Sequence, residues 1–303
     1  GGVLFRMDEI FKESLKTGIH WASEVIPLLT EPRTKEVALL FPAEMSLFEP
    51  LEVDENGHNR MDLLGWYQQF RDLGYHSDIL HPDQIVSGKL TNYRYLVVPH
   101  NSLYDLGNNK DLEIAVKEFV ENGGTLFHSP HCDLAKNALG IEEESIEFDC
   151  IRATEEIIPH GWSTVAFLQG ESLGNYRQSG KTGIAISKIG RGFIYSFGFQ
   201  YGYSYSRKTM PIVPPKYGKL EMHPIVLLKN TPIAEIVGKS KSIPLAPIKG
   251  VEFAKFGNFL VIVNHRASPV NISEIDTRCE IAQVPSAKGS LAAHSATCLK
   301  LED

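Results

Sequence analysis

Asp111-Leu-Glu-Ile-Ala-Val-Lys-Glu-Phe-Val-Glu-Asn-Gly-Gly-Thr-Leu-Phe-His128 holds a helix, its stop signal and the strand that follows. Leu112, Val116, Phe119 and Val120 recur at helical spacing, which predicts an amphipathic helix over Asp111 to Asn122. Gly123-Gly124 stops it as a C′ glycine does, and Thr125-Leu-Phe-His128 is the strand beyond. The same grammar runs upstream. Val37-Ala-Leu-Leu-Phe41 is a short, wholly apolar run of the kind expected in a central parallel strand buried on both faces, and Pro42 ends it. After a polar loop, Glu49 to Asn59, the stretch Arg60 to Leu73 sets Leu63, Leu64, Tyr67, Phe70 and Leu73 on one side of a helix that Gly74 terminates. A strand at His76 to Leu80, a break at Pro82 and an apolar strand at Tyr95 to Val98 ended by Pro99 complete the series. This βαβα order with short connections predicts an α/β fold with right-handed crossovers and a doubly wound, mainly parallel sheet.

Beyond Gly140 the pattern turns to β. Gly183 to Ile189 and Phe193 to Phe199 flank Gly190-Arg191-Gly192, which predicts a hairpin extending the sheet. Tyr201, Tyr203 and Tyr205 alternate with small residues and read as an edge strand with one aromatic face, the competing reading being a stacking platform for a ligand. Lys219 to Asn230 reads as a helix interrupted by Pro224, followed by a linker at Lys239 to Pro247. Val251 to Lys255, Phe259 to Val263, Val270 to Ile272 and Thr297 to Leu301 form a run of short strands, a small all-β domain. At the other end Met7, Ile10, Phe11, Leu15, Ile19, Ala22, Val25 and Ile26 make an amphipathic helix closed by Pro27 and Pro32. The expected organisation is therefore a helical segment at 1–34, an α/β domain at 35–240 and an antiparallel β domain at 241–303.

With 303 residues, 30 Lys+Arg against 37 Asp+Glu and a net charge of −7, the chain is not built for nucleic acid, since its cations are scattered and the longest basic cluster is Arg207-Lys208. At 43% hydrophobic and 22% charged it has the composition of an ordinary globular protein. No apolar run approaches the roughly 18 to 20 residues needed to span a bilayer, so no membrane partner is expected. Gly1 to Asp8 lacks the basic and apolar stretches of a secretory leader. Cys132, Cys150, Cys279 and Cys298 are far apart without CxxC spacing, which reads as reduced thiols and a cytoplasmic location.

Chemistry is sought first at His128-Ser-Pro-His131-Cys132-Asp133, because ligands of open α/β sheets bind beyond the carboxyl ends of strands. Two imidazoles and a thiol suit zinc or a Cys nucleophile with a His base. The spacing matches no zinc template, however, and Cys132 lacks the glycine-flanked elbow of an activated nucleophile, so a structural loop is the simpler reading. Glu44, Asn101, His128, His131 and Cys132, all near strand ends, are the candidate binding residues. No residue is assigned as catalytic, and no metal or cofactor is expected. The acidic stretches Glu52 to Glu55 and Glu142 to Glu144 read as solvated faces rather than a glycosidase carboxylate pair. Gly190-Arg-Gly192 lies in a hairpin rather than between strand and helix, so it is no phosphate cradle. His160, Trp162 and Trp66 stand singly and read as packed side chains.

Three stretches carry a family resemblance. Arg6-Met-Asp-Glu-Ile-Phe-Lys-Glu-Ser-Leu-Lys-Thr-Gly18 is similar to the helix that closes the catalytic barrel of glycoside hydrolase family 42 beta-galactosidases. Val37 to Phe41, Trp66-Tyr67, Leu73-Gly74 and Val116 to Leu126 resemble that family's trimerisation domain, and Gly250-Val-Glu-Phe with Phe259-Leu-Val-Ile-Val-Asn-His265 resembles its C-terminal β domain. The resemblance implies a class I glutamine amidotransferase-like, flavodoxin-like sheet that serves assembly, a homotrimer, and a role in carbohydrate metabolism. It also implies that the two catalytic glutamates belong to a barrel missing from this chain, so neither is carried over to any position. The chain would then be a non-catalytic piece of a sugar hydrolase, or a descendant without its barrel. The alternative is a stand-alone amidotransferase-like or trehalose-utilisation-like domain that binds or processes a small sugar-related ligand at the His128 to Cys132 loop.

Overall fold

The computed structural model describes residues 9–42, 58–100, 108–153, 156–161, 163–206, 232–237, 248, 250–273, 277–282 and 289–301. By internal packing the chain divides into Lys35–Gly238 and a second unit that groups Gly1–Thr34 with Lys239–Asp303. The helix expected over Lys219 to Asn230, the linker Lys239 to Pro247, the acidic stretch Glu52 to Glu55 and Trp162 lie outside the described residues.

The second unit holds helix α1 (Glu9–Val25) and, after the α/β unit, the C-terminal strands. In chain order the α/β unit runs β1 (Val37–Leu40), α2 (His58–Asp72), β2 (Ser77–Leu80), α3 (Pro82–Val86), β3 (Tyr95–Val98), α4 (Lys110–Glu121), β4 (Thr125–His128) and α5 (Asp133–Leu139). It continues through β5 (Glu143–Ile146), β6 (Ile151–Arg152), β7 (Glu156–Ile157), β8 (Thr164–Phe167), β9 (Glu171–Tyr176), β10 (Thr182–Ile189), β11 (Gly192–Phe197), α6 (Tyr201–Ser206) and α7 (Pro232–Val237).

Nine strands form one sheet in the order β2-β1-β3-β4-β11-β10-β9-β6-β7. From β2 to β11 every pairing is parallel, and from β11 to β7 every pairing is antiparallel. The mainly parallel sheet expected from sequence is thus parallel over one half. Strands β1 and β3 are apolar at every position because each face meets a hydrophobic layer. Ala38, Leu40, Leu96, Val98 and Leu126 pack with Ile85, Leu112 and Val116 on one side, whereas Val37, Leu39, Val97 and Phe127 pack with Trp66, Phe70 and Tyr201 on the other. Strands β5 and β8 pair separately as a two-stranded antiparallel ribbon.

Helix α4 ends as its sequence predicts. Gly123 takes φ +108, the Gly123 N–H donates to the Val120 carbonyl and the Gly124 N–H to the Phe119 carbonyl, a Schellman closure. The Gly190-Arg191 turn of the β10–β11 hairpin docks on this helix end, with the Arg191 N–H donating to the Glu121 carbonyl at 3.0 Å. These glycines therefore serve helix–hairpin packing.

The edge strand expected at Tyr201 to Tyr205 is instead the buried helix α6. Tyr201, Tyr203 and Tyr205 are exposed by only 4%, 4% and 8%, so they form no aromatic surface face. Tyr201 Oη donates to Gln69 Oε1 at 2.9 Å and Tyr205 Oη to Asp72 Oδ2 at 2.8 Å, fastening α6 along α2. The two backbones touch at a pair of glycines: a Cβ on Gly65 would lie 1.7 Å from the Gly202 carbonyl oxygen, and one on Gly202 would lie 2.0 Å from that of Asp62.

In the second unit β12 (Val251–Phe256), β13 (Phe259–Asn264), β14 (Val270–Asn271), β15 (Thr277–Ala282), β16 (Ser290–Leu291) and β17 (Ser295–Leu301) give a four-stranded antiparallel sheet, β12-β13-β17-β15, and a small β14-β16 pair. Phe253, Leu260, Ile262, Leu291 and Leu299 fill its core. The Asn264 amide donates to the Ser268 and Ala292 carbonyls, which holds the turn after β13. The Thr34 N–H donates to the Lys255 carbonyl, extending β12.

Because the α2–α6 contact is backbone against backbone, Gly202→Ala is expected to cost about 3 kcal/mol or more, the upper end for overpacking. Urea unfolding of the variant beside the native chain reads this as a lowered midpoint.

Candidate functional site

The carboxyl ends of β3 and β4 lie side by side, with Val98 opposite His128 in the register. They deliver His100 from one strand and His128, Ser129, His131 and Cys132 from the other. Glu44 and Asn101, the other two candidate binding residues, lie outside the described residues.

His128 is turned inward. Its Nδ1 lies 2.9 Å from the Ser129 carbonyl oxygen and its Nε2 2.7 Å from Ser196 Oγ, so both ring nitrogens are used within the fold. The carbonyl fixes the proton on Nδ1, and Nε2 accepts from the serine. Burial holds the pKa below its ordinary 6.5, so the ring is neutral. A ring so committed is poorly disposed to ligate a metal.

Cys132 caps helix α5: its Sγ accepts the Ala135 N–H at 3.4 Å. The side chain is partly exposed as a whole, but its sulfur packs against the hydrophobic core, and burial pushes the thiol pKa up to about 12. The thiol therefore stays protonated near neutrality, which removes the thiolate that nucleophilic or zinc chemistry needs.

His131 behaves differently. It takes φ +57 in the tight turn between β4 and α5, a strained conformation for a residue with a Cβ. An elbow of the strand–turn–helix kind is thus present, with the strained position at His131 and not at Cys132, which has φ −88. The Glu143 carboxylate clasps His131 twice, accepting its backbone N–H at 3.0 Å and lying 2.9 Å from Nδ1. Nε2 on the far side of the ring lies 2.8 Å from Ser163 Oγ. The hydrogen bond to Glu143 raises the His131 pKa above 6.5 against the effect of partial burial. For Glu143, burial pushes upward, but the His131 hydrogen bonds and charge outweigh it and hold the carboxyl below its ordinary value. Glu143 is accordingly no solvated residue, as the acidic stretch Glu142 to Glu144 suggests, whereas Glu144 does lie at the surface in an ion pair with Lys181.

Beneath these groups is a carboxylate that sequence reading missed. Asp62, buried on α2, accepts the His100 N–H at 2.7 Å, the Ser129 hydroxyl at 2.7 Å and the Tyr203 N–H at 3.0 Å, and also the Gly202 N–H. Trp66 Nε1 donates to the same Ser129 hydroxyl at 3.1 Å. Ser163 and Asp62 carry no signal in the sequence, since each gains its meaning from partners distant along the chain. Among the described residues no group of three or more His, Cys, Asp or Glu is arranged to hold a metal, and no helix is long and apolar enough to cross a membrane.

Several beta-galactosidases are among the solved structures that match this chain. A beta-galactosidase from Bacillus circulans sp. alkalophilus matches with TM-score 0.63 and 14% identity, over 97% of this chain and 45% of that one. One from the psychrophilic Marinomonas ef1 matches with TM-score 0.56 and 14% identity, over 95% and 41%. A catalytic mutant of a GH42 beta-galactosidase from G. stearothermophilus matches with TM-score 0.57 and 16% identity, over 97% and 44%. The chain shares its fold with GH42 beta-galactosidases. It spans less than half the length of each of these enzymes. No protein-family model matches the sequence, and no curated protein does.

Two measurements check this site. The His131 ring, followed by NMR through its titration, is expected to have its midpoint above 6.5 and to fall back in Glu143→Gln. The raised histidine stabilises the fold fully below its unfolded pKa and loses that contribution as pH rises through its folded one. The lowered carboxyl contributes above its unfolded pKa and loses that as pH falls through its folded value. The pair is therefore worth most between 4.5 and 6.5, the two ordinary values, and modestly so because both side chains are partly exposed. Separately, alkylation of Cys132 in the folded chain at pH 8 is expected to be slow and to accelerate as pH approaches 12; fast labelling at pH 8 would contradict the buried, protonated thiol.

Proposed function

We propose that this chain is the non-catalytic assembly region of a beta-galactosidase-like glycoside hydrolase of carbohydrate metabolism. The observation that carries this reading is the coverage: the shared fold extends over 97% of this chain and only 45% of the B. circulans enzyme. A catalytic (β/α) barrel takes about 250 residues, and the sheets of the described residues are open or small. In this reading Lys35–Gly238 is a class I glutamine amidotransferase-like, flavodoxin-like domain that makes the contacts of a homotrimer. Such a domain needs apolar surface for a partner, and Ile114, Ile158 and Leu168 of this unit are well exposed. The buried tyrosines of α6 contribute nothing to that surface. A cytoplasmic setting and a carbohydrate ligand for the complete enzyme belong to the same reading.

The second reading, a stand-alone amidotransferase-like domain handling a sugar-related ligand at the His128 to Cys132 loop, draws support from the strained His131. The protonated Cys132 thiol weighs against the thiol form of that chemistry.

Sedimentation of the purified chain over a range of concentrations, beside its turnover of a nitrophenyl beta-galactoside, tests the preferred reading. A trimer without galactosidase turnover is expected. A strictly monomeric species would remove the assembly role, and robust turnover would mean that the chain carries its own glycosidic carboxylates.

A further inference from the structure

Glu143, His131 and Ser163 come from three separate segments: the start of β5, the β4–α5 turn and the residue preceding β8. Their polar atoms form one chain of contacts through the imidazole. Glu143 Oε1 is 2.9 Å from His131 Nδ1, and His131 Nε2 is 2.8 Å from Ser163 Oγ. A carboxylate, an imidazole and a hydroxyl within hydrogen-bond reach on both sides of the ring make the arrangement that activates a hydroxyl for acyl transfer, a constellation defined by geometry and roles and found on unrelated folds.

The same structure contains a control. His128 and Ser196 also form an imidazole–hydroxyl pair, at 2.7 Å, but each is exposed by only 1%, and the second ring nitrogen faces a backbone carbonyl. That pair is a core hydrogen bond with neither access nor a carboxylate. The His131 pair differs on each count. Its imidazole and Ser163 are partly exposed, its Nδ1 faces a carboxylate, and the same carboxylate holds the backbone N–H of His131, so that ring and main chain are fixed together. The nearby negative charges of Glu143 and Asp133 disfavour an anionic acyl group and leave neutral esters as the fitting class.

We propose that Ser163, His131 and Glu143 form a nucleophile–base–carboxylate triad that hydrolyses small, neutral carboxylic esters. Ser163 Oγ attacks the ester carbonyl carbon while its proton passes to His131 Nε2. The tetrahedral adduct collapses by breaking the carbon–alkoxy bond, and the alcohol leaves with the proton held on His131. Water then attacks the acyl-serine, giving its proton to Nε2. The carbon–serine bond breaks, that proton returns to Ser163 Oγ, and the carboxylic acid departs. Glu143 keeps the Nδ1–H tautomer in place and stabilises the imidazolium. This activity is separate from the glycosidic chemistry that the proposed assembly region lacks, so either reading can fail without the other.

The test uses the full purified chain. It is incubated with a fluorophosphonate probe and the adduct mapped by peptide mass spectrometry, and hydrolysis of 4-nitrophenyl acetate is followed in parallel. We expect one adduct on Ser163, absent in His131→Gln, and a loss of about 100-fold in acetate turnover for Ser163→Ala and His131→Gln, the low end of what a positioned general base supplies. Melting curves identify variants that fail to fold. Ser163→Cys then gives a second readout, because the introduced thiol should alkylate faster in the presence of His131 than in its Gln variant. An unlabelled Ser163 in the native chain, or ester hydrolysis unchanged in both variants, would overturn the proposal.

Discussion

One buried carboxylate sets the geometry on which the strand ends depend. Asp62 lies on α2 out of reach of solvent, and its oxygens are met by N–H groups of His100, Gly202 and Tyr203 and by the Ser129 hydroxyl. These donors belong to the segments after β3 and β4 and to α6. Burial raises the pKa of Asp62 in spite of these hydrogen bonds, so the carboxyl belongs to the fold only while the donors stay where they are. Each such bond left unmade in the interior costs about 1 to 3 kcal/mol. The penalty locks the ends of two central strands to two helices, and Trp66 adds a further donor to Ser129. With Ser129 held from below, the chain has three residues, Pro130 to Cys132, in which to leave the strand, turn at His131 and begin α5.

That constraint shapes the sheet as well as the turn. The parallel half stops at β11, where β4 and β11 pair His128 with Ser196, and these two side chains bond to each other. Past β11 the sheet is built of antiparallel strands. The β5–β8 ribbon is tied back by the Val165 N–H donating to the Gly198 carbonyl just beyond β11. Glu143 begins one strand of this ribbon and Ser163 precedes the other, so both reach His131 from outside the parallel layer. The loop at the strand ends is thereby closed over by a later part of the chain, a result of tertiary pairing with no local cause.

The parallel half was legible in sequence because burial on both faces removes every polar position from Val37 to Leu40 and from Tyr95 to Val98. The α4 stop was legible because a C′ position with positive φ favours glycine. Tyr201 to Tyr205 misled for a related reason: a six-residue helix is under two turns long and buries Tyr201, Tyr203 and Tyr205 alike, so it shows no 3.6 period, and alternating Tyr and small residues imitates a strand. Gly202, the apparent spacer, is where α6 touches α2. At the site, the His128 to Cys132 loop was found from its place after a strand, but which of its groups face outward depends on φ at His131 and on Glu143 and Ser163. Spacing along the chain encodes none of these. Strand β15 was missed because Thr277-Arg-Cys-Glu-Ile-Ala282 has too little apolar alternation to stand out.

Strain alone does not make His131 functional. A residue with a Cβ in the left-handed region costs on the order of 1 to 3 kcal/mol, and the two contacts with Glu143 provide a local offset of similar size. A turn stabilised in this way could persist for folding reasons only, and the fold itself assigns no chemistry. What separates the two cases is the far side of the ring. The clasp by Glu143 is complete at Nδ1 and the backbone N–H, and it would hold the turn equally well with Nε2 facing water. Ser163 is not needed for that clasp, yet its hydroxyl lies within hydrogen-bond distance of the one ring nitrogen the clasp leaves over. The surplus contact, joined to a partly exposed hydroxyl and a carboxylate already fixed in the orienting position, is the feature that a purely structural turn leaves unexplained.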